Sequence, residues 1–414
     1  MNINVNSEIG ELQGVIIHTP GQEVENMTPQ NAERALYSDI LNLTVARKEY
    51  KQFKSVLTKL TKVYEVSDLL TDILKINEAK KSIIDTICSN KDTDSIKEYL
   101  ESLPPKELAR QLIEGVPMVK DTLTKFLNKE RYSLLPLHNF FFTRDPAITI
   151  GDKVLIAKMS SQVREREALI METIFRNHPD LKTDTINPIR YEHYVPKITF
   201  EGGDIIVARK DVLCIGIGSR TTTEGVDFII DELKKTKVPK NIIVQELPQT
   251  LESFIHLDMV FTFLDKDYCL SYDPVVFNIH SYETVHIRLD NGKVEWIREE
   301  ENILEALKSV NIDLKPISCG GNSDDWIQER EQWHSGANFF AVAPGKVLGY
   351  GRNSYTIDAL NKNGFEVIKS DDLTKADISK IDKCVITVDG SELSRGGGGC
   401  RCMTMPVSRK EINW

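Results

Sequence analysis

The chain has 414 residues, of which 41% are hydrophobic and 28% charged, a composition typical of a soluble globular protein. Its formal net charge of −10 argues against a general nucleic-acid-binding protein, whose surface normally carries an excess of basic side chains. No segment approaches the ~18 consecutive apolar residues of a membrane span, and the N-terminus lacks the basic start and apolar core of a signal peptide. We expect neither a nucleic-acid nor a membrane partner.

The cysteines are consistent with a reducing compartment. There are seven, an odd number at scattered spacings, and several lie inside apolar, strand-like runs such as VLCIGI. This pattern favours buried free thiols over a disulfide framework, so we expect a cytoplasmic protein.

The N-terminal segment predicts a strand, a helix and a second strand. Residues 12–18 (LQGVIIH) form an apolar run typical of a buried strand. Thr28 followed by Pro29 predicts a helix start, and the helix should continue through Leu41. The run KVYEV at 62–66 predicts the second strand.

Residues 68–129 differ from the rest of the chain. They show helical spacing of apolar residues and little strand character, with Gly115 as a predicted helix end. We therefore predict a helical insertion at 68–129 in a catalytic α/β domain formed by 1–67 and 130–414. The two predicted apolar faces comprise Ala79, Ile83, Ile84, Ile87 and Cys88, and Leu108, Ala109, Leu112 and Ile113.

After Leu134 the sequence predicts short strands in close pairs, with helices between the pairs. This repeated combination of a strand pair and a helix indicates a radially repeated α/β architecture. Helices are predicted at 163–177, 224–236 and 355–363. Strands are predicted at 154–159, 204–209, 212–217, 241–247, 259–264, 338–343, 346–350 and 383–388.

Four short motifs carry side chains that could take part in chemistry. Taken singly, each has an ordinary structural interpretation, since an aspartate before proline, a glutamate before two glycines and a glycine run all suit turns. His256 and Asp258 precede an apolar run, and on a strand their side chains would share one face. The motifs are FFTRDP with Arg144 and Asp145, FEGGD with Glu201 and Asp204, HLD with His256 and Asp258, and SRGGGGCRCMTMP with Arg395 and Cys402.

Taken together, the motifs favour a thiol nucleophile that acts on a cation. Carboxylates beside a cysteine oppose its ionisation unless the substrate itself brings positive charge. A guanidinium does so, because its pKa is ~12.5–13.8 and its planar fork of N–H donors matches carboxylates. Three carboxylates with a single histidine make a poor zinc site, and the glycine run lacks the ending of a phosphate loop. We therefore expect no metal and no organic cofactor.

In this order, the four motifs resemble those of the bacterial arginine deiminases, over essentially the whole chain. HTPGQEVENMTP near the start resembles the family's opening strand and loop, and 68–129 resembles its helical insertion. The resemblance implies a five-bladed α/β propeller, or pentein, of ββαβ-type repeats with the active site at its centre. Some positions depart from the family, and none of them removes a proposed catalytic group. They lie in LYSD at 36–39, in REQWHS with Arg330 and His334, and in GYGRN at 349–353.

The resemblance also implies the catalytic roles. Asp145 and Asp258 resemble the carboxylates that hold the guanidinium, Glu201 and His256 resemble their catalytic partners, and Cys402 in RCM resembles the nucleophile. Cys400, two residues earlier, would face the same way as Cys402 on an extended chain.

Five further residues are expected to bind the substrate. Asn139 and Phe142 resemble substrate-contacting positions, and Arg164 and Arg220 resemble arginines that bind the substrate carboxylate. We expect Arg395 in the glycine loop to contact substrate as well.

The implied activity is hydrolysis of L-arginine to L-citrulline and ammonia through a cysteine thiouronium intermediate, and we expect a homo-oligomer. Within enzymes, the alternatives are deimination of agmatine or a methylated arginine and amidino transfer to an amine. The alternative outside enzymes is an amino-acid-binding protein on the same fold, which would have no need for the thiol.

Overall fold

The computed structural model describes residues 1–89, 93–191, 195, 197–238, 240–249, 252–277, 281–322, 324–373, 378 and 380–414. It is a mixed α/β protein in which short strands alternate with helices. The strands are β1 (Leu12–Ile17), β2 (Lys62–Glu65), β3 (Val116–Pro117), β4 (Tyr132–Leu134), β5 (Ala147–Ile150), β6 (Lys153–Ile156), β7 (Thr185–Ile186), β8 (Ile205–Arg209), β9 (Val212–Ile217), β10 (Lys240–Glu246), β11 (Phe261–Phe263), β12 (Tyr268–Ser271), β13 (Thr284–Asp290), β14 (Lys293–Glu300), β15 (Lys315–Ser318), β16 (Phe340–Ala343), β17 (Lys346–Tyr350), β18 (Glu366–Lys369), β19 (Cys384–Val388) and β20 (Met405–Arg409).

The helices are distributed along the whole chain. They are α1 (Gln22–Glu25), α2 (Pro29–Ala32), α3 (Leu43–Leu60), α4 (Val66–Ile73), α5 (Asn77–Ile87), α6 (Lys97–Ser102), α7 (Pro105–Glu114), α8 (Leu123–Leu127), α9 (Glu165–Asn177), α10 (Thr223–Lys234), α11 (Asp273–Val276), α12 (Ile303–Ser309), α13 (Asp325–Trp333) and α14 (Ser354–Lys362).

Five of the sheets share one local plan. An antiparallel strand pair is followed by helix, and the chain then returns as a strand parallel to the second member of the pair. The pairs and their parallel strands are β20 and β1 with β2, β5 and β6 with β7, β8 and β9 with β10, β11 and β12 with β15, and β16 and β17 with β19. The predicted combination of a strand pair and a helix is confirmed.

The predicted helix from Thr28 through Leu41 is wrong in its length. It begins at Pro29 as expected but ends at Ala32, and Leu36 adopts a left-handed backbone with φ of 65° that no α-helix can continue through. A new helix, α3, starts instead at Leu43, where the Asn42 side chain accepts a hydrogen bond from the Val45 amide at 3.1 Å. The segment from 33 to 42 is therefore a loop.

The described part of the stretch 68–129 is largely helical, as predicted, and both predicted apolar faces point inward. Gly115 ends α7 with φ of 87°, a conformation that favours glycine. The buried side chains of these helices, such as Leu70 and Leu112, belong to the same hydrophobic cluster as Ile156 and Phe175 of the surrounding α/β structure. The helices thus share a core with the sheets.

The segments just before the first strand of each pair converge. Asp145 precedes β5, Glu201 precedes β8, Asp258 precedes β11, Asn338 precedes β16 and Cys402 precedes β20. These residues are all buried. The repeated plan of the sheets thus places five distant parts of the sequence at one location.

All seven cysteines lie in the described part of the chain, where they are buried and free. Among the described residues, none of the helices is both long enough and apolar enough to cross a bilayer.

Candidate active site

Hydrogen bonds tie the five converging segments into a closed ring. Each link joins one segment to the next, and the last returns to the first. The links are Arg144 N to Cys402 O at 3.0 Å, Gly202 N to Asp145 O at 2.9 Å, Leu257 N to Asp204 Oδ1 at 2.9 Å, Asn338 Nδ2 to Asp258 O at 3.0 Å, and Arg401 N to Asn338 Oδ1 at 2.9 Å. The relative positions of the five segments are therefore fixed by two backbone–backbone bonds and by three bonds in which the side chains of Asp204 and Asn338 take part.

The two glycines of FEGGD allow close approach in this ring. A side chain at Gly202 would place its Cβ 2.1 Å from the carbonyl oxygen of Arg144. A Cβ at Gly203 would lie 2.4 Å from Nδ1 of His256. Only glycine lets the segment before β8 lie against both neighbours.

His256 and Glu201 form a buried pair. His256 Nε2 lies 2.9 Å from Glu201 Oε2, and the other oxygen of Glu201 accepts hydrogen bonds from the amide and hydroxyl of Ser160 at 3.0 and 3.1 Å. Burial disfavours the imidazolium, but Asp145 and the hydrogen bond with Glu201 outweigh this and raise the pKa of His256. The imidazole is therefore protonated near neutral pH and can act as an acid.

His256 and Asp258 precede the predicted strand 259–264 and do not share a strand face. His256 is extended, but Leu257–Met259 form a turn of 3₁₀ helix before β11 begins at Phe261. Both side chains nevertheless reach the site, His256 towards Glu201 and Asp258 towards Cys402. The turn gives the two side chains separate partners, which a shared strand face would not.

Asp145 has one oxygen fixed and one oxygen without a partner. Its Oδ2 receives a hydrogen bond of 2.7 Å from Nη1 of Arg164. Its Oδ1 is buried, has no hydrogen-bond partner and lies 3.7 Å from Nδ1 of His256. Since an unsatisfied buried acceptor is costly, this oxygen is suited to a donor that a ligand would bring.

Arg164 is held almost entirely by the protein. Its Nε lies 3.1 Å from both oxygens of Glu167, and its Nη2 lies 2.7 Å from Glu167 and 3.4 Å from the carbonyl of Asn139. With Nη1 bonded to Asp145, four of its five N–H groups are engaged.

Cys402 lies against Asp258. Its Sγ is 3.9 and 3.8 Å from the two carboxylate oxygens, and its amide lies 3.2 Å from Oδ1 of Asn338. Residues 400–403 form a turn, so Cys400 and Cys402 do not project as they would on an extended chain. Only Cys402 of the two lines the cavity described below, while Cys400 is fully buried in the core.

The thiol of Cys402 is neutral in this environment. Burial, followed by the charges of Asp258 and Asp145, raises its pKa well above the ordinary value, and Arg401 offsets this only in part. A cation in the cavity would act in the opposite direction and favour the thiolate.

A cavity of about 370 Å³ opens onto these groups. Eight of the ten predicted site residues line it, while Glu201 and Asp258 lie fully buried directly behind His256 and Cys402. The eight are Asn139, Phe142, Asp145, Arg164, Arg220, His256, Arg395 and Cys402.

The rim of the cavity carries two arginines in different settings. The side chain of Arg220 makes a hydrogen bond of 3.2 Å to the hydroxyl of Ser160. Arg395 pairs with Asp39 at 2.5 Å and with Glu392 at 3.1 Å, which joins the loop 33–42 to the glycine run.

Several residues of the site were not singled out from the sequence. Glu167 anchors Arg164, Ser160 anchors Glu201, and Asn338 binds both Asp258 and Cys402 through its amide group. Glu8 and Arg401 form an ion pair beside Asp258. Arg401 lies in the RCM motif next to the predicted nucleophile, while the other residues lie outside the four motifs.

Asp145, Glu201 and His256 are also close enough together to be considered as ligands of a metal ion. The hydrogen bonds argue against this use, because His256 Nε2 binds Glu201 directly and Arg164 already donates to Asp145. A site that contains an arginine and a protonated histidine suits a planar cation with N–H donors better than a bare metal ion.

Comparison with known proteins identifies one family throughout. A family model described as arginine deiminase matches residues 33–409. An arginine deiminase of Bacillus cereus is 34% identical over 431 aligned residues, which cover 99% of this chain and 99% of the relative. One of Borrelia garinii subsp. bavariensis is 33% identical over 434 residues, covering 99% and 98%.

Solved structures share the fold at low sequence identity. An amidinotransferase from Microseira wollei superposes with a TM-score of 0.56 at 13% identity, covering 100% of this chain and 98% of the other. The N-terminal domain of an arginine dihydrolase from cyanobacteria superposes with a TM-score of 0.54 at 14% identity, covering 96% and 97%.

The electrostatics of Cys402 give a first test. We predict that Asp258→Asn lowers the pKa of the Cys402 thiol, because a like charge beside the thiolate is removed. Iodoacetamide should then alkylate Cys402 faster at neutral pH than in the unmodified protein, as followed by mass spectrometry of the labelled peptide. Asp211→Asn, at a carboxylate that pairs with Arg209 and does not line the cavity, is the control. An unchanged or slower reaction in Asp258→Asn would show that the carboxylate does not govern the thiol.

Proposed function

The chain belongs to the arginine deiminase family, and we propose that its buried Cys402 is the nucleophile that converts L-arginine to L-citrulline and ammonia. One observation carries the assignment of residues. A neutral thiol stands beside Asp258, and Asp145 offers an unpartnered buried oxygen to the same cavity. Such a site is incomplete without a cation, and arginine supplies one that is planar and permanently charged.

The guanidinium is positioned first. Asp145 and Asp258 accept N–H bonds from it, so that its central carbon faces Cys402. Because the bound cation favours the thiolate, the thiol gives up its proton to water in the cavity, and sulfur attacks the carbon. Holding the two reacting groups together accounts for a large part of such a rate enhancement.

His256 supplies the proton for the leaving group. It is protonated in the free enzyme, and it donates to the departing nitrogen so that the C–N bond breaks with release of ammonia. A thiouronium remains on sulfur. Neutral His256 then takes a proton from water, and the resulting hydroxide adds to the carbon. The C–S bond breaks as the hydroxyl proton passes to the leaving sulfur, which gives citrulline and the free thiol. Glu201 supports the imidazole through its 2.9 Å hydrogen bond in both steps.

The far end of the substrate meets the rim of the cavity. We assign the carboxylate of arginine to Arg220, with Arg164 able to contribute its remaining Nη1 hydrogen, and place Asn139, Phe142 and Arg395 along the rest of the substrate. Agmatine lacks the carboxylate, so this arrangement favours arginine.

Finer features of the protein are part of the same proposal. The five sheets with a common plan are the blades of a five-bladed α/β propeller, a pentein, and 68–129 is a helical insertion domain. We further propose a cytoplasmic homo-oligomer whose partner is its small-molecule substrate, with no role for nucleic acid or membrane. The net charge of −10 supports the last point.

Variants of the two neighbouring cysteines test which of them is the nucleophile. Cys402→Ala should abolish formation of citrulline and ammonia from arginine, while Cys400→Ala should keep most of it, because Cys400 is buried in the core away from the cavity. A colorimetric citrulline assay on both purified variants measures this. Comparable residual activity in the two variants would falsify the assignment of Cys402.

Treatment with a chelator tests whether Asp145, Glu201 and His256 act on the substrate or hold a metal ion. We expect prolonged dialysis against EDTA to leave citrulline formation unchanged, because the charges of these groups are already balanced by one another and by Arg164. Loss of turnover that returns on adding a divalent metal would contradict this.

Specificity for arginine should depend on Arg220. Truncating one partner of a buried charge pair costs ~2–5 kcal/mol, so Arg220→Ala should raise the KM for arginine by roughly ten- to a thousandfold. Agmatine has no carboxylate to lose, so its turnover should change far less and the preference for arginine should shrink.

The same comparison of arginine with agmatine, made on Arg164→Ala, shows whether Arg164 and Arg220 share the binding of the substrate carboxylate. A reduced preference in both variants assigns the carboxylate to both arginines, and a reduced preference in Arg220→Ala alone assigns it to Arg220. Arg298→Ala, at an arginine that pairs with Glu300 outside the cavity, is the matched control. If the preference survives in both variants, specificity lies elsewhere on the rim.

A further inference from the structure

Arg401 is a buried cation directly next to the nucleophile in sequence, yet its guanidinium does not line the cavity. Its side chain is 1% exposed, and the side chains of its two carboxylate partners, Glu8 and Asp258, are 9% and 0% exposed. A cation is retained in such surroundings only when its hydrogen bonds are well satisfied. The neighbouring groups satisfy them fully enough to fix its orientation.

The guanidinium of Arg401 donates hydrogen bonds to both Glu8 and Asp258. Nε and Nη2 of Arg401 each lie 3.0 Å from one oxygen of Glu8, which is a bidentate contact, and Nη2 also lies 2.9 Å from the carbonyl of Ile205. Nη1 lies 2.8 Å from Oδ2 of Asp258. Glu8 comes from the N-terminal segment, 393 residues away in sequence.

We propose that Arg401 and Glu8 are positioning residues that fix the carboxylate of Asp258 for the substrate guanidinium. The inference rests on the proposed function of Asp258. With Oδ2 held by Arg401, the carboxylate cannot rotate, and Oδ1 is left with only the thiol of Cys402 as a donor among the described residues. Glu8 holds Arg401 so that this contact persists when the cavity is occupied.

The other substrate-binding carboxylate is held in the same way. Asp145 has its Oδ2 bonded to a buried arginine, Arg164, which is itself fixed by a bidentate contact with Glu167. Each carboxylate thus has one oxygen anchored by an arginine and the other left for a ligand. The two anchored groups define the distance and angle at which a planar guanidinium is received.

The charge of Glu8 is maintained despite its burial. Burial alone would raise the pKa of Glu8, but Arg401 and Arg144 outweigh it and lower the pKa to about 2. Glu8 is therefore ionised at neutral pH, and its ion pair with Arg401 is present there.

The test uses kinetics on the full-length chain with two conservative variants. Arg401→Lys keeps the positive charge but loses the planar fork, and Glu8→Gln keeps the shape but loses the charge. Both should lower kcat for arginine on the order of ten- to a hundredfold, because a misplaced Asp258 misaligns the attack, while KM changes much less. Glu8→Gln provides the test if Arg401→Lys does not fold.

Arg409→Lys is the matched control. Arg409 is buried close to the same cluster, with Nη1 bonded to the carbonyl of Gly10 at 2.7 Å, and it makes no hydrogen bond to Asp258. It should lose stability in a thermal melt to an extent similar to Arg401→Lys but keep its kcat. An equal loss of kcat in the Arg409 and Arg401 variants would mean that Arg401 acts only through folding.

A double-mutant cycle shows whether Arg401 acts through Asp258. Asp258→Asn should lower kcat strongly by itself, and adding Arg401→Lys or Glu8→Gln should then have little further effect. Multiplicative losses, or a change confined to KM, overturn the positioning role. Citrulline formation by the unmodified enzyme in the same assay keeps this result separate from the proposed function, which fails only if that product is absent or if Cys402→Ala still forms it.

Discussion

The site depends on keeping a thiol neutral among buried carboxylates until a cation arrives. Burying an ionised carboxylate is costly unless it is paired, and each of the three here has its own internal cation. Asp145 is paired with Arg164, Glu201 with His256 and Asp258 with Arg401. With these pairs made, burial and the carboxylates still keep the pKa of Cys402 high, because Arg401 offsets them only in part. In our proposal the substrate supplies a positive charge beside the thiol, so binding of the substrate is what favours the reactive thiolate.

The sheets deliver these pairs from distant parts of the chain. Because every antiparallel pair is preceded by a short segment at the same end, the repeated plan brings five such segments together. The ring of hydrogen bonds between them then limits how far any one side chain can move. A site that must hold carboxylates at fixed spacing needs such a frame, since an error of about 1 Å can cost two orders of magnitude in rate. The frame also explains why glycines stand at the two positions of closest contact. A merely flexible loop would not require glycine at those positions.

Much of this could be predicted from the sequence, for a physical reason. Strands, helical faces and motif residues such as Asp145 and Cys402 are encoded locally, by periodicity or by a run of neighbours. The errors arose where local pattern was a poor guide. The helix from Pro29 ends at Ala32, ahead of a left-handed Leu36, and a 3₁₀ turn at Leu257–Met259 delays the predicted strand 259–264 until Phe261. The supporting residues carry no such pattern. The role of Glu8 becomes evident only in the folded structure, where it contacts Arg401, 393 residues later in the sequence.

The arginines of the site divide into two groups according to their surroundings. Arg164 and Arg401 are buried and bonded to two carboxylates each, so neither can move without leaving a buried charge unpaired. They suit the reacting end of the substrate, where geometry must not change. Arg220 is partly exposed and Arg395 exposed, and both lie at the rim with fewer internal partners or with partners on a loop. Rim arginines can adjust to a carboxylate and release it. In our proposal the fixed pair orients the reacting carboxylates, and Arg220, with the remaining Nη1 hydrogen of Arg164, selects which guanidine compound is accepted.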